Sequence, residues 1–235
     1  MSCPIRIAPR SHFNNAELRS MHRLRAKVFK ERMGWDVPIL SGMEIDGYDT
    51  LDPYYMLIHG ADHDVRGCWR LLPTEGPYML KDSFPELLHG QTVPEDSKVW
   101  ELSRFAIETG GAEHFSFAEL VLDAMREIVN FGNRMGIERY VTVTTTAIER
   151  MLSRTGIAIT RLGPPMRIGV AQAVALNIDI GKQTHAALFG AGAHDCARVS
   201  ASLAVSLGEI EKMKFALAQA NAALQNMIDK FGGNK

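Results

Sequence analysis

Seven residues stand where an ordinary apolar core has no use for them. Arg25 shares a helical face with Met21, Val28 and Phe29, and Trp35 directly follows the Gly34 that should stop that helix. Asp46 and Asp49 flank Gly47-Tyr48 in a polar stretch. Arg70 sits mid-strand between Trp69 and Leu71, and Glu101 and Arg104 interrupt the apolar run of Val99, Trp100, Leu102 and Phe105. Strand interiors admit charge only when it is paired or put to use. Carboxylates beside aromatic faces suit a cation. A guanidinium fork suits a carboxylate. A carboxylate in apolar surroundings suits a general base. Taken singly, each residue reads better as a surface charge or a structural ion pair, and an Arg70–Glu101 bridge between neighbouring strands would account for two of them.

Other chemistries find little support. His59, Asp62, His63 and Asp64 cluster in a predicted turn, where a solvated hairpin is the better reading than a ligand set, so no metal is expected. GxSxG, Walker A and GxGxxG patterns are missing from the contexts that would give them meaning.

The elements that must position these residues follow from periodicity. Leu18, Met21, His22, Leu24, Arg25, Val28 and Phe29 predict a helix over about 15–33. Residues 36–50 read as loop. Strands are expected at 54–59 and 66–72 around a turn at 61–64, then an excursion over 74–97 rich in proline, then a strand at 98–107. Ser116 and Glu119 have capping-box spacing ahead of a helix that Gly136 ends. Strand 140–146, helix 147–154, strand 157–162 and one long period-two run over 166–180 follow. The order predicts one layered α/β domain.

The chain has 235 residues, 46% apolar and 23% charged, with 26 basic against 27 acidic groups. The balance argues against a broad nucleic-acid or anionic-membrane surface. Cys3, Cys68 and Cys196 are sparse and odd in number, and no run approaches the ~20 apolar residues of a membrane span, so a cytoplasmic protein is expected. From Ala201 to Lys230, Leu207, Ile210, Lys214, Leu217, Asn221, Leu224 and Ile228 form a heptad ladder. It reads either as a coiled coil that makes a homodimer or as an amphipathic helix docked on its own domain.

Arg25-x3-Phe29-x5-Trp35, Asp46-Gly-Tyr-Asp49, Arg70-Leu-Leu-Pro-Thr and Trp100-Glu101-Leu-Ser-Arg104-Phe stand in order, within the longer blocks CWRLLPTEGPYML and WELSRF. In these the chain resembles the acyl-homoserine-lactone synthases, the autoinducer synthases of bacterial quorum sensing, with all eight hallmark positions of the family filled. The resemblance implies a GNAT-like acyltransferase fold over 1–195, its mixed sheet splayed to admit a pantetheine thioester, plus a helical extension over 196–235. It implies two substrates, S-adenosylmethionine and an acyl group on acyl carrier protein or coenzyme A. The amine takes the acyl group, and the carboxylate then displaces methylthioadenosine to close the lactone. S-adenosylmethionine is consumed and no cofactor is expected, because the attacking oxygen is already an anion and the leaving group a neutral thioether.

Roles follow from that resemblance. Arg25, Phe29, Trp35, Asp46, Asp49 and Arg70 are expected to bind S-adenosylmethionine. Glu101, Ser103 and Arg104 form the catalytic group, with Glu101 the candidate base. In a regular strand Arg104 would point away from Glu101 and Ser103, so a bulge is expected there. Thr142 and Thr145 occupy the positions that select the acyl 3-substituent, with Met79, Phe84, Met125 and Ile148 as further acyl walls beside the 116–134 helix. Arg150 and Arg154, with Arg161 and Arg167 nearby, suit an acidic carrier. Two rivals are a GNAT-type acyltransferase acting on another amine, for which Thr109-Gly110-Gly111-Ala112 is only a weak relic of the phosphate loop, and a non-catalytic binding protein of the same fold.

Overall fold

Asn14 opens the first helix with a capping box: its side chain accepts from the N–H groups of Ala16 and Glu17, while Glu17 accepts from the Asn14 N–H. In the computed structural model, which describes residues 4–60, 64–108, 117–169 and 171–190, this helix is α1 (Asn15–Arg25). The Ser116–Glu119 cap, the Gly110-Gly111 segment, part of the 61–64 turn, and the heptad ladder with its dimer expectation lie outside those residues.

Period-two runs become a mixed sheet in the order β1 (Ile5–Pro9), β4 (Tyr54–His59), β5 (Val65–Pro73), β6 (Val99–Ile107), β7 (Arg139–Thr145), β10 (Ala171–Asp179), β8 (Ala158–Arg161). A separate two-stranded ribbon pairs β2 (Ile39–Leu40) with β3 (Met43–Glu44), and β9 (Met166–Ile168) pairs β10. Every pairing is antiparallel except β6–β7, whose connection runs through the long helix α3 (Phe117–Met135), the kind of crossover a parallel pair needs. The remaining helices are α2 (Met79–Asp82), α4 (Thr146–Arg154) and α5 (Lys182–Phe189).

The β6–β7 ladder covers only Val99–Leu102 against Arg139–Thr142. Beyond it β6 stays with β5 as far as Ile107, and β7 stays with β10 as far as Thr145. The sheet therefore divides after Leu102 and Thr142. One face packs Trp100, Leu102, Val174 and Leu176 under α3, and the other carries α1, the β2–β3 ribbon and α2.

Four features depart from expectation. The strand β1 and the β2–β3 ribbon were not anticipated; the ribbon turns at Ser41-Gly42, both with positive φ. The helix predicted over 15–33 is α-helical only to Arg25 and widens to a π-helix over 26–32, with Met33 N–H donating to Val28 O five residues back. The run over 166–180 is two strands, because Gly169 at φ 56° turns the chain back on itself. The 74–97 excursion carries α2 across the sheet face opposite α3. Among the described residues no helix is long and apolar enough to cross a membrane.

That excursion is fastened at Gly163, where an added Cβ would collide with His89 Cδ2 and meet the Leu87 carbonyl oxygen at 2.8 Å. His89 Nε2 donates to Pro164 O at 2.9 Å across the same contact. Gly163→Ala should lower the unfolding free energy by about 1–3 kcal/mol in a urea titration. Gly76→Ala, with nothing within 4 Å of its Cβ, should stay within about 0.5 kcal/mol of the parent.

Candidate active site

The register between β5 and β6 sets the site. Cys68 pairs Ala106 and Arg70 pairs Ser103, so β6 carries one extra residue in that interval. The bulge lies at Arg104, whose φ of 57° is a left-handed conformation uncommon for a non-glycine residue. It resets the alternation of faces. Leu102 and Ile107 pack under α3, with Phe105 partly buried beside them, whereas Glu101, Ser103 and Arg104 meet partners from α2, β5 and the β2–β3 ribbon. The expected bulge is present, and it brings the three residues to one face.

Three arginines and three carboxylates converge there. Arg25 reaches Asp49 with Nη1 and Nη2 at 2.8 and 2.9 Å, and Glu44 Oε2 with Nε at 2.5 Å. Arg70 donates to Asp46 Oδ1 at 2.5 Å, to Asp49 Oδ1 at 3.0 Å and to Ser103 Oγ at 3.2 Å. Arg104 meets Glu44 Oε1 at 3.0 Å and Asp46 Oδ2 at 2.9 Å. Tyr55 donates its hydroxyl to Asp49. Asp46 caps the 3-10 turn at 47–51 by accepting the Tyr48 N–H, and Asp49 accepts the Asp46 N–H, which explains their spacing.

The network is nearly dry. Arg25, Arg70 and Glu44 are fully buried, and only the side chains of Asp46 and Arg104 reach 10% exposure. Burial alone would raise Asp49, but Arg25 and then Arg70 outweigh it and hold that carboxyl well below the usual range. Burial weakens the charged form of Arg25 too, yet Asp49 and Glu44 push its pKa up. Among the described residues, two atoms of this network have no hydrogen-bond partner, Asp46 Oδ2 and Arg70 Nη2; the contact of Asp46 Oδ2 with Arg104 is an ion contact without hydrogen-bond alignment.

Glu101 stands apart from these six groups. Its oxygens accept the N–H groups of Met79 at 3.1 Å and Leu80 at 2.8 Å. Burial raises its pKa, and those two N–H groups and the nearby Arg70 only partly offset the rise. The Arg70–Glu101 ion pair considered from the sequence is not formed; Arg70 pairs with the two aspartates instead. Phe29 stacks on Trp35 with ring centroids 5.4 Å apart, and the Arg104 guanidinium lies 5.6 Å from the Phe29 centroid on the site side. The π-helical turn carries Phe29, and its carbonyl accepts the Trp35 N–H, so the widened turn builds the stack.

The acyl-wall residues are divided between the two faces. Met125 and Ile148 belong with the core under α3. Phe84 packs against Leu72, Tyr78 and Leu80 on the opposite face, and Met79 sits there beside Glu101 and Arg104. The expectation of a single wall beside α3 is thus corrected for Met79 and Phe84, because the excursion crosses the other side of the sheet. Thr142 is buried opposite Leu102 where the sheet divides, and Thr145 caps α4 by accepting the Ile148 N–H at 3.4 Å. Arg150 and Arg154 are exposed on α4. Arg161 is matched bidentately by Glu149 at 2.5 and 2.9 Å, so the four-arginine patch is smaller in net charge than its sequence.

Glu44 escaped the sequence reading, and so did Tyr48, which lies under the Arg70 guanidinium and hydrogen-bonds Ser83 at 3.0 Å. The motif Met43-Glu44-Ile45-Asp46 alternates apolar and acidic residues ahead of Gly47, which is the signal that could have flagged Glu44.

Asp49 also controls stability. Its depressed folded pKa makes its contribution fully present above the unfolded value near ~4 and lost as pH falls below it. Asp49→Asn should cost about 3–5 kcal/mol at pH 7 by leaving Arg25 underpaired. Urea titrations from pH 7 downward should show the variant losing less further stability below about pH 4 than the parent does.

The pattern that defines the autoinducer synthases matches residues 10–188. The acyl-homoserine-lactone synthase of Pseudomonas aeruginosa is 48% identical over 188 residues, covering 79% of this chain and 94% of that protein. The crystal structure of the AHL synthase LasI superposes with a TM-score of 0.76 at 49% identity, over 80% of this chain and 94% of its own. The CoA-dependent acyl-homoserine lactone synthase BjaI, solved with SAM and isopentyl-CoA, superposes with a TM-score of 0.71 at 28% identity, over 80% and 88%. The fold alone extends to an N-acetyltransferase-type protein from Lactobacillus plantarum, at a TM-score of 0.52 and 15% identity. With the divided sheet, the bulged strand and these matches together, the chain belongs to the autoinducer synthase family and is an acyltransferase of the acyl-homoserine-lactone synthase kind.

Proposed function

We propose that S-adenosylmethionine binds along the outer edge of the arginine–carboxylate network and that the acyl thioester lies where β6 and β7 part. The observation that carries this reading is the pair of unpartnered buried atoms, Asp46 Oδ2 and Arg70 Nη2, at the same edge as Arg104. A buried acceptor whose contact with Arg104 is not an aligned hydrogen bond, and a buried donor without a hydrogen-bond partner among the described residues, suit a ligand bearing both an ammonium and a carboxylate. Asp46 takes the cationic end, Arg70 and Arg104 the carboxylate, and half-exposed Trp35 offers an aromatic face to the sulfonium. Arg25 and Asp49, whose polar atoms satisfy one another, act as the frame. The ligands named for the BjaI structure support the same pair of substrates.

The chemistry then runs in two steps. Glu101, directly or through a water, takes a proton from the substrate ammonium, and the neutral amine attacks the thioester carbonyl. β6 has no strand partner on its β7 side beyond Leu102, which supports a backbone N–H there as donor to the oxyanion. The thiolate leaves and the amide forms. The substrate carboxylate next attacks the carbon bonded to the sulfonium, and neutral methylthioadenosine departs. Neither step calls for a metal or a redox cofactor. For the donor we favour acyl carrier protein, whose acidic surface suits exposed Arg150 and Arg154; coenzyme A is the other source of the same thioester.

Methylthioadenosine release from purified protein given S-adenosylmethionine and acyl thioesters should track lactone formation one for one. Acyl transfer to another amine without that release would support the broader acyltransferase rival, and no turnover with any donor would support the binding protein. Glu101→Gln should cut kcat/KM by about 10²–10⁴-fold. It should also abolish the acidic limb of the pH profile, which in the parent should lie above the usual carboxylate range. Charge reversal of Arg150 and Arg154 should raise KM for an acyl carrier substrate and leave KM for acyl-coenzyme A unchanged.

A further inference from the structure

Glu44 is fully buried, and its two oxygens serve two different arginines. Oε2 accepts from Arg25 Nε at 2.5 Å, and Oε1 accepts from Arg104 Nε at 3.0 Å. Its main chain is fixed as well: the Glu44 carbonyl accepts from His22 Nδ1 at 2.8 Å, and the residue pairs Ile39 across the β2–β3 ribbon. Arg25 and Arg104 belong to α1 and β6, so one carboxylate joins a helix, a ribbon and the bulged strand.

Arg104 needs such a joint. It holds a left-handed backbone at the bulge, a conformation that persists only where its surroundings over-determine it. Its guanidinium is held behind by Glu44 and at the outer edge by Asp46, while among the described residues Nη1 meets only the weakly accepting sulfur of Met79 at 3.3 Å. If Asp46 turns to a cationic substrate, Glu44 is the carboxylate that still fixes Arg104 among the described residues. The charge count points the same way: with Glu44 the cluster holds three arginines against three carboxylates, and without it three against two aspartates.

We propose that Glu44 is a positioning residue for the reaction, locking Arg25 and Arg104 into one unit and thereby fixing where the Arg104 guanidinium meets the substrate. This rests on the reading that Arg104 contacts S-adenosylmethionine. Glu44 itself sits behind the arginines and touches no substrate.

The test uses the full chain, with S-adenosylmethionine varied at saturating acyl thioester and the reverse. Glu44→Gln keeps the shape and removes the charge; Glu44→Asp keeps the charge and draws it back by one methylene. Both should lower kcat/KM for S-adenosylmethionine by about 10- to 100-fold while KM for the acyl donor stays within twofold, because misplacement by about 1 Å is enough to cost that much. In an Arg104→Ala background, Glu44→Gln should add less than a further twofold loss. Parent-like kinetics in Glu44→Asp, or a Glu44→Gln loss that is undiminished in the Arg104→Ala background, would overturn the positioning role. A loss shared equally by both substrates and matched by a lower folded fraction in the thermal melt would also overturn it, as a purely structural effect. Should Glu44→Gln fail to fold, Glu44→Asp alone decides. If Arg104→Ala itself leaves kcat/KM for S-adenosylmethionine unchanged, the underlying placement of the substrate fails, and the proposal fails with it.

Discussion

Three guanidinium groups buried against three carboxylates are the constraint on which the rest of this structure depends. Desolvating six charges is costly, and the cost is met only if each finds its partner with good geometry. The partners come from α1, the β2–β3 ribbon, the 3-10 turn at 47–51, β5 and β6, so five pieces of chain must reach one place together. Removing one member strands another in a dry interior, which makes the set behave as a unit. Local irregularities follow from that demand. The π-helical turn after Arg25 sets Phe29 against Trp35, the ribbon delivers Glu44, and Asp46 and Asp49 cap their own turn while facing the arginines.

The second constraint is parity. A strand alternates faces at every residue, and β6 has to present Glu101, Ser103 and Arg104 to one side while keeping Leu102 and Ile107 under α3. No regular strand satisfies both. One inserted residue at Arg104 solves the conflict at the cost of a left-handed backbone. The parting of β6 from β7 begins at the same level of the sheet, after Leu102. The bulge and the division are therefore neighbours: one aims the polar groups, and the other is where the proposed acyl chain would lie.

What the sequence discloses follows the range of the physics involved. Local periodicity makes α1, α3 and the strands on both sides of the site legible, and the alternation of faces along residues 101–104 already requires the bulge if Glu101 and Arg104 share a site. Glu44 was hidden because a two-residue strand carries no period of its own and Ser41-Gly42 is a modest turn signal. The sequence leaves the partner of Arg70 open between Glu101 and other carboxylates because cross-strand register is a non-local property that the bulge itself shifts. Met79 and Phe84 were assigned to the face of Met125 for a similar reason: nothing in residues 74–97 says which side of the sheet they cross. The hallmark residues, by contrast, stood out because charge in an apolar strand is visible without knowing its partner.

The neutrality of the network bears on the base we propose at Glu101. Three arginines against three carboxylates leave the network balanced, and although Arg70 still lowers the pKa of Glu101, burial outweighs it and raises that pKa. Had one arginine been left over, its field would have pulled the carboxyl down and weakened it as a proton acceptor. The two backbone N–H groups from α2 keep the ionised form tolerable without matching it with a cation. The proposed base and a frame rich in arginine are thus compatible in one small volume because the frame is balanced, with Glu44 one of the three carboxylates that balance it.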